Sequence, residues 1–305
     1  MSKPIVEHGG STPPVAQSRW RTFWNSGGFW KAALMTLGYL ALFQGLTGLL
    51  SLVVGDVVDA DNPFDDPLSA LLTIGAGPIV GSIVVVLFAR SIGWLPRPLF
   101  GRQPVRGRGW MWAAPVFVLL PIVTHALGTD YGRYGAGVVV AVLVAGLFVG
   151  FSEEVVTRGL GVALLRRGGY REQAVMLLSS ILFGLMHLSN LLSGQEIDTV
   201  GPVVLYAVGF GICMYLSLRI TGSLVWPILL HAFTDPTTIL ASGGIDQQVA
   251  NTANTWLVIA SIGTIAYVLL AVVATFVVRG HARGRADADE PERFDAPEKG
   301  APASA

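Results

Sequence analysis

Eight apolar stretches dominate this chain, each about the length a helix needs to cross a bilayer, roughly 20 mostly apolar residues. They run approximately over 32–55, 67–89, 110–127, 137–166, 173–192, 201–218, 224–241 and 256–278. In hydrocarbon every backbone N–H and C=O must be satisfied within the chain, so such stretches form helices. Composition agrees. Charged residues are 13% of the 305, about half the usual share of roughly 25% in soluble domains. Hydrophobic residues are 52%, glycines number 37 and the mean hydropathy is +0.59. A disordered chain and an ordinary soluble domain are both excluded. The expected fold class is all-α: a polytopic membrane protein of about eight transmembrane helices with its active site inside the membrane. Lys+Arg and Asp+Glu are 20 each, so no basic excess points to a nucleic-acid partner. The single cysteine, Cys213, precludes an intrachain disulfide and a cysteine-based zinc site. It reads as a small buried apolar residue.

The distribution of basic residues tests the division into spans. Eighteen of the 20 lie in the two tails and the even-numbered connections, among them Arg19, Arg97, Arg102, Arg167, Arg171, Arg219 and Arg285. The odd-numbered connections hold Arg133 and are otherwise acidic, as in Asp56, Asp59, Asp61, Asp65 and Asp66. Basic loops stay in the cytoplasm. The expectation is therefore a multi-pass protein of the plasma membrane with both termini cytoplasmic. Residues 1–29 form an N-terminal tail without the look of a cleaved signal peptide, 30–279 the membrane domain and 280–305 a disordered tail. Trp30, Trp94, Trp110, Trp226 and Trp256 fall near span ends, where interfacial anchors sit. The fourth stretch is too long for a simple span, and Gly146 and Gly150 are candidate points for a kink.

Few ionisable residues remain inside the spans: Glu153, Glu154 and Arg158 in the fourth, His187 in the fifth, His231 and Asp235 in the seventh, with His125 marginal in the third. A charge at the bilayer centre costs roughly 2.5–3.5 kcal/mol, so such groups face one another or a wet cavity. Glu154 and Arg158 are four apart and can pair, as can His231 and Asp235. Glu153 points about 100° away from Glu154 around the axis and is left for chemistry. With 1.5 Å rise per residue, Glu153 lies about 21 Å and His187 about 24 Å from the Arg-rich boundary. His231, at about 12 Å, is roughly 9–12 Å shallower in straight helices. Gly159, Gly161, Ser180 and Gly184 allow close approach between the helices that carry these groups.

A buried carboxylate and two histidines can do general acid–base work on water, since a glutamate in apolar surroundings is a competent base. No Ser or Cys stands out as nucleophile; Ser152 reads as a helix-packing serine. A histidine could share the water, and a second histidine with a polar neighbour could stabilise an oxyanion. Glu153, His187 and His231 would equally match the ligand types of a catalytic zinc site. There is no H-E-x-x-H, so spacing does not demand a metal.

These residues resemble a known family. Phe151-Ser-Glu153-Glu154-Val-Val-Thr-Arg158-Gly159 matches the E-E-x-x-x-R signature of the CAAX protease and bacteriocin-processing family, called CPBP or Abi. Phe183-Gly-Leu-Met-His187 matches its F-x-x-x-H motif, and His231-Ala-Phe-Thr-Asp235 its H-x-x-x-[N/D] motif. The likeness covers about residues 137–241. It implies an intramembrane endopeptidase in which Glu153 activates water with help from His187. Glu154, Arg158 and Phe183 would be motif and structural residues, and His231 and Asp235 would line the oxyanion side. Members are commonly labelled metalloproteases, and a metal-free glutamate mechanism is argued as well. The expectation here is that no cofactor is required, with zinc on Glu153, His187 and His231 as the alternative. The partners implied are the lipid bilayer and a membrane-associated peptide or protein substrate, with no nucleic acid. Asp235 departs from the asparagine of the prenyl-protease branch. An ionised aspartate cannot donate to an oxyanion, so it would be protonated or would orient His231.

Two other functions use the same residue types. A proton-coupled transporter would spread ionisable groups along a path and often carry inverted repeats. Here the groups gather in one region and no repeat is visible. A non-catalytic scaffold or immunity protein of the same fold would be expected to lose the first glutamate or a histidine, and all are present.

Overall fold

The computed structural model describes residues 18–59, 62–244 and 254–282, and these are helical apart from connections and one isolated bridge, Arg171 with His281. The helices are α1 (Arg19–Asn25), α2 (Phe29–Val54), α3 (Pro67–Ser91), α4 (Ala113–Gly128), α5 (Ala136–Glu154), α6 (Val162–Arg167), α7 (Glu172–Met186), α8 (Ile197–Thr221), α9 (Val225–Ser242) and α10 (Thr255–Val277). Local chemistry sets several ends. Asp66 accepts from the Ser69 amide at 2.8 Å while Pro67 occupies the first position of α3, where no amide hydrogen is needed. Gly222 and Gly243 close α8 and α9 in the left-handed conformation at φ 72° and 84°.

Seven helical segments among the described residues are long and apolar enough to cross a membrane, so the chain is a multi-pass membrane protein. The seventh sequence stretch, α9, falls short of that apolarity because His231, Asp235 and a run of threonines dilute it. It packs against α5, α4 and α8 instead of standing alone. α5 lies between α3 and α9, α10 covers α4 and α8, and α7 packs along α8. The outer faces of α2 and α10 present Leu49, Leu52, Val53, Val272 and Phe276, as surfaces meeting lipid do.

The long fourth stretch breaks, but not at Gly146 or Gly150. After Glu154 the chain runs as a π-helix over Val155–Gly161 before α6 begins. Such wide turns interrupt α-helices most often at functional sites. Gly146 and Gly150 serve a different purpose. A Cβ on Gly146 would stand 2.1 Å from Pro236 Cγ, and one on Gly150 would stand 2.5 Å from the Ala232 amide nitrogen. They let α9 lie directly on the α5 backbone, the use of small residues expected where no hydrophobic effect drives helices together. Gly184 does the same for α7 and α8, with Val208 Cγ2 at 2.5 Å from its Cβ position.

Other expectations change with the packing. Trp94 is not an interfacial anchor: it is 2% exposed, donates from its indole to Asn25 Oδ1 at 2.8 Å and lies under the Arg167 guanidinium. Trp30, Trp226 and Trp256 remain exposed. The expected N-terminal tail, 1–29, contains α1. At the other end, Gly280, the first residue of the expected disordered tail, accepts from the Glu172 amide at 3.0 Å. Residues 283–305, and Lys3 and Asp61 of the charge argument, lie outside the described residues.

Arg166, one of the loop arginines of the topological count, is no free surface charge. It grips Glu172 with two hydrogen bonds of 2.8 and 2.7 Å and reaches Gln103 at 2.5 Å. Tyr215 also donates to Glu172, and Arg219 donates to the Arg106 carbonyl at 2.8 Å. This buried cluster ties the loop before α4 to the ends of α6, α7 and α8. Cys213 is buried in α8, as expected, with its thiol 3.4 Å from the Tyr267 carbonyl oxygen.

Candidate active site

Three chain segments converge just before and within the π-turn. α5 ends on Glu153 and Glu154, and the π-turn supplies Arg158. α7 supplies Phe183, and His187 opens the 3₁₀ segment His187–Ser193 that follows it. α9 supplies His231 and Asp235.

The two glutamates differ sharply. Glu154 is fully buried and forms an ion pair with Arg158, Oε1 to Nη1 at 3.2 Å. The same Oε1 lies 2.9 Å from His231 Nδ1. Glu153 keeps 25% of its side chain accessible, and its Oε2 stands 3.8 Å from His231 Nε2. Asp235, 39% accessible, brings Oδ2 to 3.5 Å from that same Nε2. One ring edge of His231 is thus committed to a buried carboxylate, and the other faces two accessible ones.

These contacts favour one tautomer of each ring. A carboxylate held by Arg158 can only accept, so Nδ1 of His231 carries its hydrogen and donates to Glu154. His187 Nδ1 lies 3.1 Å from the Phe183 carbonyl oxygen, another pure acceptor, so it donates there. In its neutral form His187 therefore keeps Nε2 as an acceptor, whereas His231 Nε2 faces the carboxylates of Glu153 and Asp235. The group that orients His231 from behind is Glu154. Asp235 meets the opposite edge, its Oδ2 within ion-pair distance of Nε2, so both carboxylates contact the ring.

Phe183 organises the aromatic side. The Arg158 guanidinium carbon lies 4.3 Å above its ring centroid, a cation–π contact. His187 and His231 meet the ring edge-on at 5.1 and 5.7 Å. Phe210 of α8 touches His231 from the other side at 5.0 Å. Arg158 Nε and Nη2 and Glu154 Oε2 have no hydrogen-bond partner among the described residues, so the ring face, the ion pair and a hydrogen bond from Nη1 to Thr157 Oγ1 at 2.5 Å compensate the buried charge. Room for the guanidinium comes from Gly211, whose Cβ position is 2.5 Å from Arg158 Nη2.

Residues 135–237 match the family model described as type II CAAX prenyl endopeptidase Rce1-like. The motif-bearing segment is similar to that family. The match begins at the start of α5 and ends two residues after Asp235, so it contains every residue of the constellation. No curated protein and no solved structure matches the chain significantly.

The matched segment brings Glu153, Glu154, Arg158, Phe183, His231 and Asp235 into contact, with His187 on the same phenylalanine. The depth offset expected for His231 is absent: it sits beside Glu153. The offset holds for straight, untilted helices, whereas a π-turn follows Glu154 and glycine contacts seat α9 against α5. His125 lies apart, against Thr238 at 3.4 Å, in the packing of α4 on α9. Ser152 donates to the Val149 carbonyl at 3.3 Å, a packing role. Among the described residues no group of three or more His, Cys, Asp or Glu side chains has the arrangement to hold a metal ion. Sequence reasoning missed Phe210 and Gly211, which carry no ionisable group.

Proposed function

We propose that this protein is an intramembrane endopeptidase that hydrolyses a peptide bond with water activated by Glu153, without a metal. The observation that carries the reading is the unequal treatment of the two glutamates around His231. Glu154 is spent on Arg158 and on His231 Nδ1. Glu153 is accessible and unbonded beside His231 Nε2. A water lodged against Glu153 would lose its proton to the carboxylate as its oxygen attacks the substrate carbonyl, and that proton would pass on to the leaving amine. His187 Nε2 is the free acceptor that shares the water. His231, once protonated at Nε2, faces the developing oxyanion as a donor. Asp235 keeps that proton on His231. Its carboxylate takes the place of an amide donor without being one, which leaves the imidazolium as the oxyanion contact.

The proposed substrate is a membrane-associated peptide or protein, and the type II CAAX prenyl endopeptidase description of the matched family makes a prenylated C-terminal peptide the first probe. The purified protein, dialysed against a strong chelator, should cleave a quenched fluorescent peptide ending in a prenylated Cys-aliphatic-aliphatic-X sequence and carry far less than one zinc per chain. Stoichiometric zinc whose removal and return switch cleavage off and on would overturn the metal-free mechanism. Cleavage of neither this probe nor any resident membrane protein would overturn the activity.

We also place both termini in the cytoplasm of a plasma-membrane protein, on the partition of basic residues. A reporter fused after Arg285 should report cytoplasm, and one inserted at Asp61 the outside. The reverse pair would overturn the orientation.

A further inference from the structure

Thr157 stands in the π-turn, one residue before Arg158, and is 1% exposed. Its hydroxyl donates to the Glu153 carbonyl oxygen at 2.7 Å and accepts from Arg158 Nη1 at 2.5 Å. The chemistry fixes both directions, because a guanidinium only donates and a carbonyl only accepts. A threonine that bonds back to the carbonyl four residues earlier is common in helices. What sets this one apart is the buried guanidinium on its oxygen. The same Nη1 stands 3.2 Å from Glu154 Oε1. One cation is thus tied to both glutamates of the motif, to the side chain of Glu154 directly and to the backbone of Glu153 through Thr157. In apolar surroundings such linked hydrogen bonds polarise and strengthen one another. Glu153 has particular need of the tie. Its carboxylate makes no hydrogen bond among the described residues, so its direction comes from its backbone and its packing. That backbone lies where α5 gives way to the π-turn.

We propose that Thr157 is a positioning residue: its hydroxyl, held by Arg158, fixes the Glu153 backbone and with it the aim of the carboxylate beside His231. This rests on Glu153 being the general base. Arg158 then has a second task. Besides pairing with Glu154, it anchors the residue that carries the base. The link needs one atom that accepts and donates at once, which a hydroxyl supplies and a methyl group does not.

Thr157→Val keeps the branched shape and removes only the hydroxyl. On the prenylated probe peptide it should lower kcat per folded chain about tenfold to a hundredfold, the cost of misplacing a reacting group by up to about 1 Å. KM should stay near wild type, because Thr157 is buried and meets no substrate. Thr157→Ser keeps the hydroxyl and should restore kcat. The valine variant leaves an Arg158 N–H unpaired and should also lose some stability. If it does not accumulate, Thr157→Cys, whose S–H is a weak donor, takes its place in the comparison with serine. A second measurement needs no cleavage. Hydrogen exchange read by mass spectrometry should be faster over residues 153–161 in the valine or cysteine variant than in the wild type, and should return to the wild-type rate in the serine variant. Loss of abundance with kcat per folded chain unchanged would reduce Thr157 to a packing residue and overturn its role. So would unchanged exchange, or a serine variant as impaired as valine. Faster exchange with no cleavage by the wild type would uphold the tie while sinking the protease reading on which the role depends.

Discussion

Glu153→Gln should abolish cleavage, by a factor of about a hundred to ten thousand, the range general-base catalysis supplies. The fold should hardly notice. Glu153 is partly accessible, its carboxylate makes no hydrogen bond among the described residues, and it stands 3.8 Å from His231. An amide of the same shape fills that space without leaving a charge unpaired, so abundance in the membrane and thermal midpoint should match the wild type. What it lacks is a proton acceptor: an amide oxygen does not take a proton from water at working pH. The measurement is cleavage of the prenylated probe peptide beside thermal unfolding of the same preparation. Near-normal turnover by the glutamine variant would remove Glu153 from the chemistry and leave Asp235 as the accessible carboxylate to test next.

Glu154→Gln should fail differently. Glu154 is fully buried and is the carboxylate partner of a fully buried arginine. Breaking a buried ion pair from one side costs about 3–5 kcal/mol because the remaining charge is uncompensated. That is a large part of a typical total of about 5–15 kcal/mol. The cation–π contact with Phe183 recovers only part of it. Protein abundance should fall steeply and activity with it. Activity should fall further than abundance, because the same oxygen accepts from His231 Nδ1 and sets its tautomer. Adding Arg158→Met to Glu154→Gln removes the stranded charge and should restore much of the abundance, since an apolar replacement of a buried pair is often neutral. It should not restore turnover. Stability of Glu154→Gln equal to wild type would mean that the pair does not carry the charge of Arg158. Recovery of turnover in the double variant would mean that His231 does not depend on Glu154.

The contrast between these variants marks where sequence reasoning reached and where it stopped. Spacing alone paired Glu154 with Arg158, because residues four apart on a helix are neighbours, and the distance of 3.2 Å agrees. It also set Glu153 on a different face. Spacing could not show that Glu154 reaches across to His231, 77 positions later, since that contact depends on how closely α9 approaches α5. The two glycines read as a kink, Gly146 and Gly150, instead make that approach possible. From sequence, a glycine that bends a helix and a glycine that admits a neighbour look the same.

Membrane character and the short list of intramembrane ionisable residues were determined by the sequence itself. Both follow from local properties: apolar length against bilayer thickness, and the cost of charge in hydrocarbon. The break in the fourth stretch after Glu154, the burial of Trp94 and the common level of Glu153 and His231 were decided only by tertiary structure. Each of these depends on which helix fills which groove, and in a bilayer lipid is as apolar as the helices are. Hydrophobicity therefore cannot choose the partners, and the choice falls to small residues, shape and buried polar contacts spread along the whole chain.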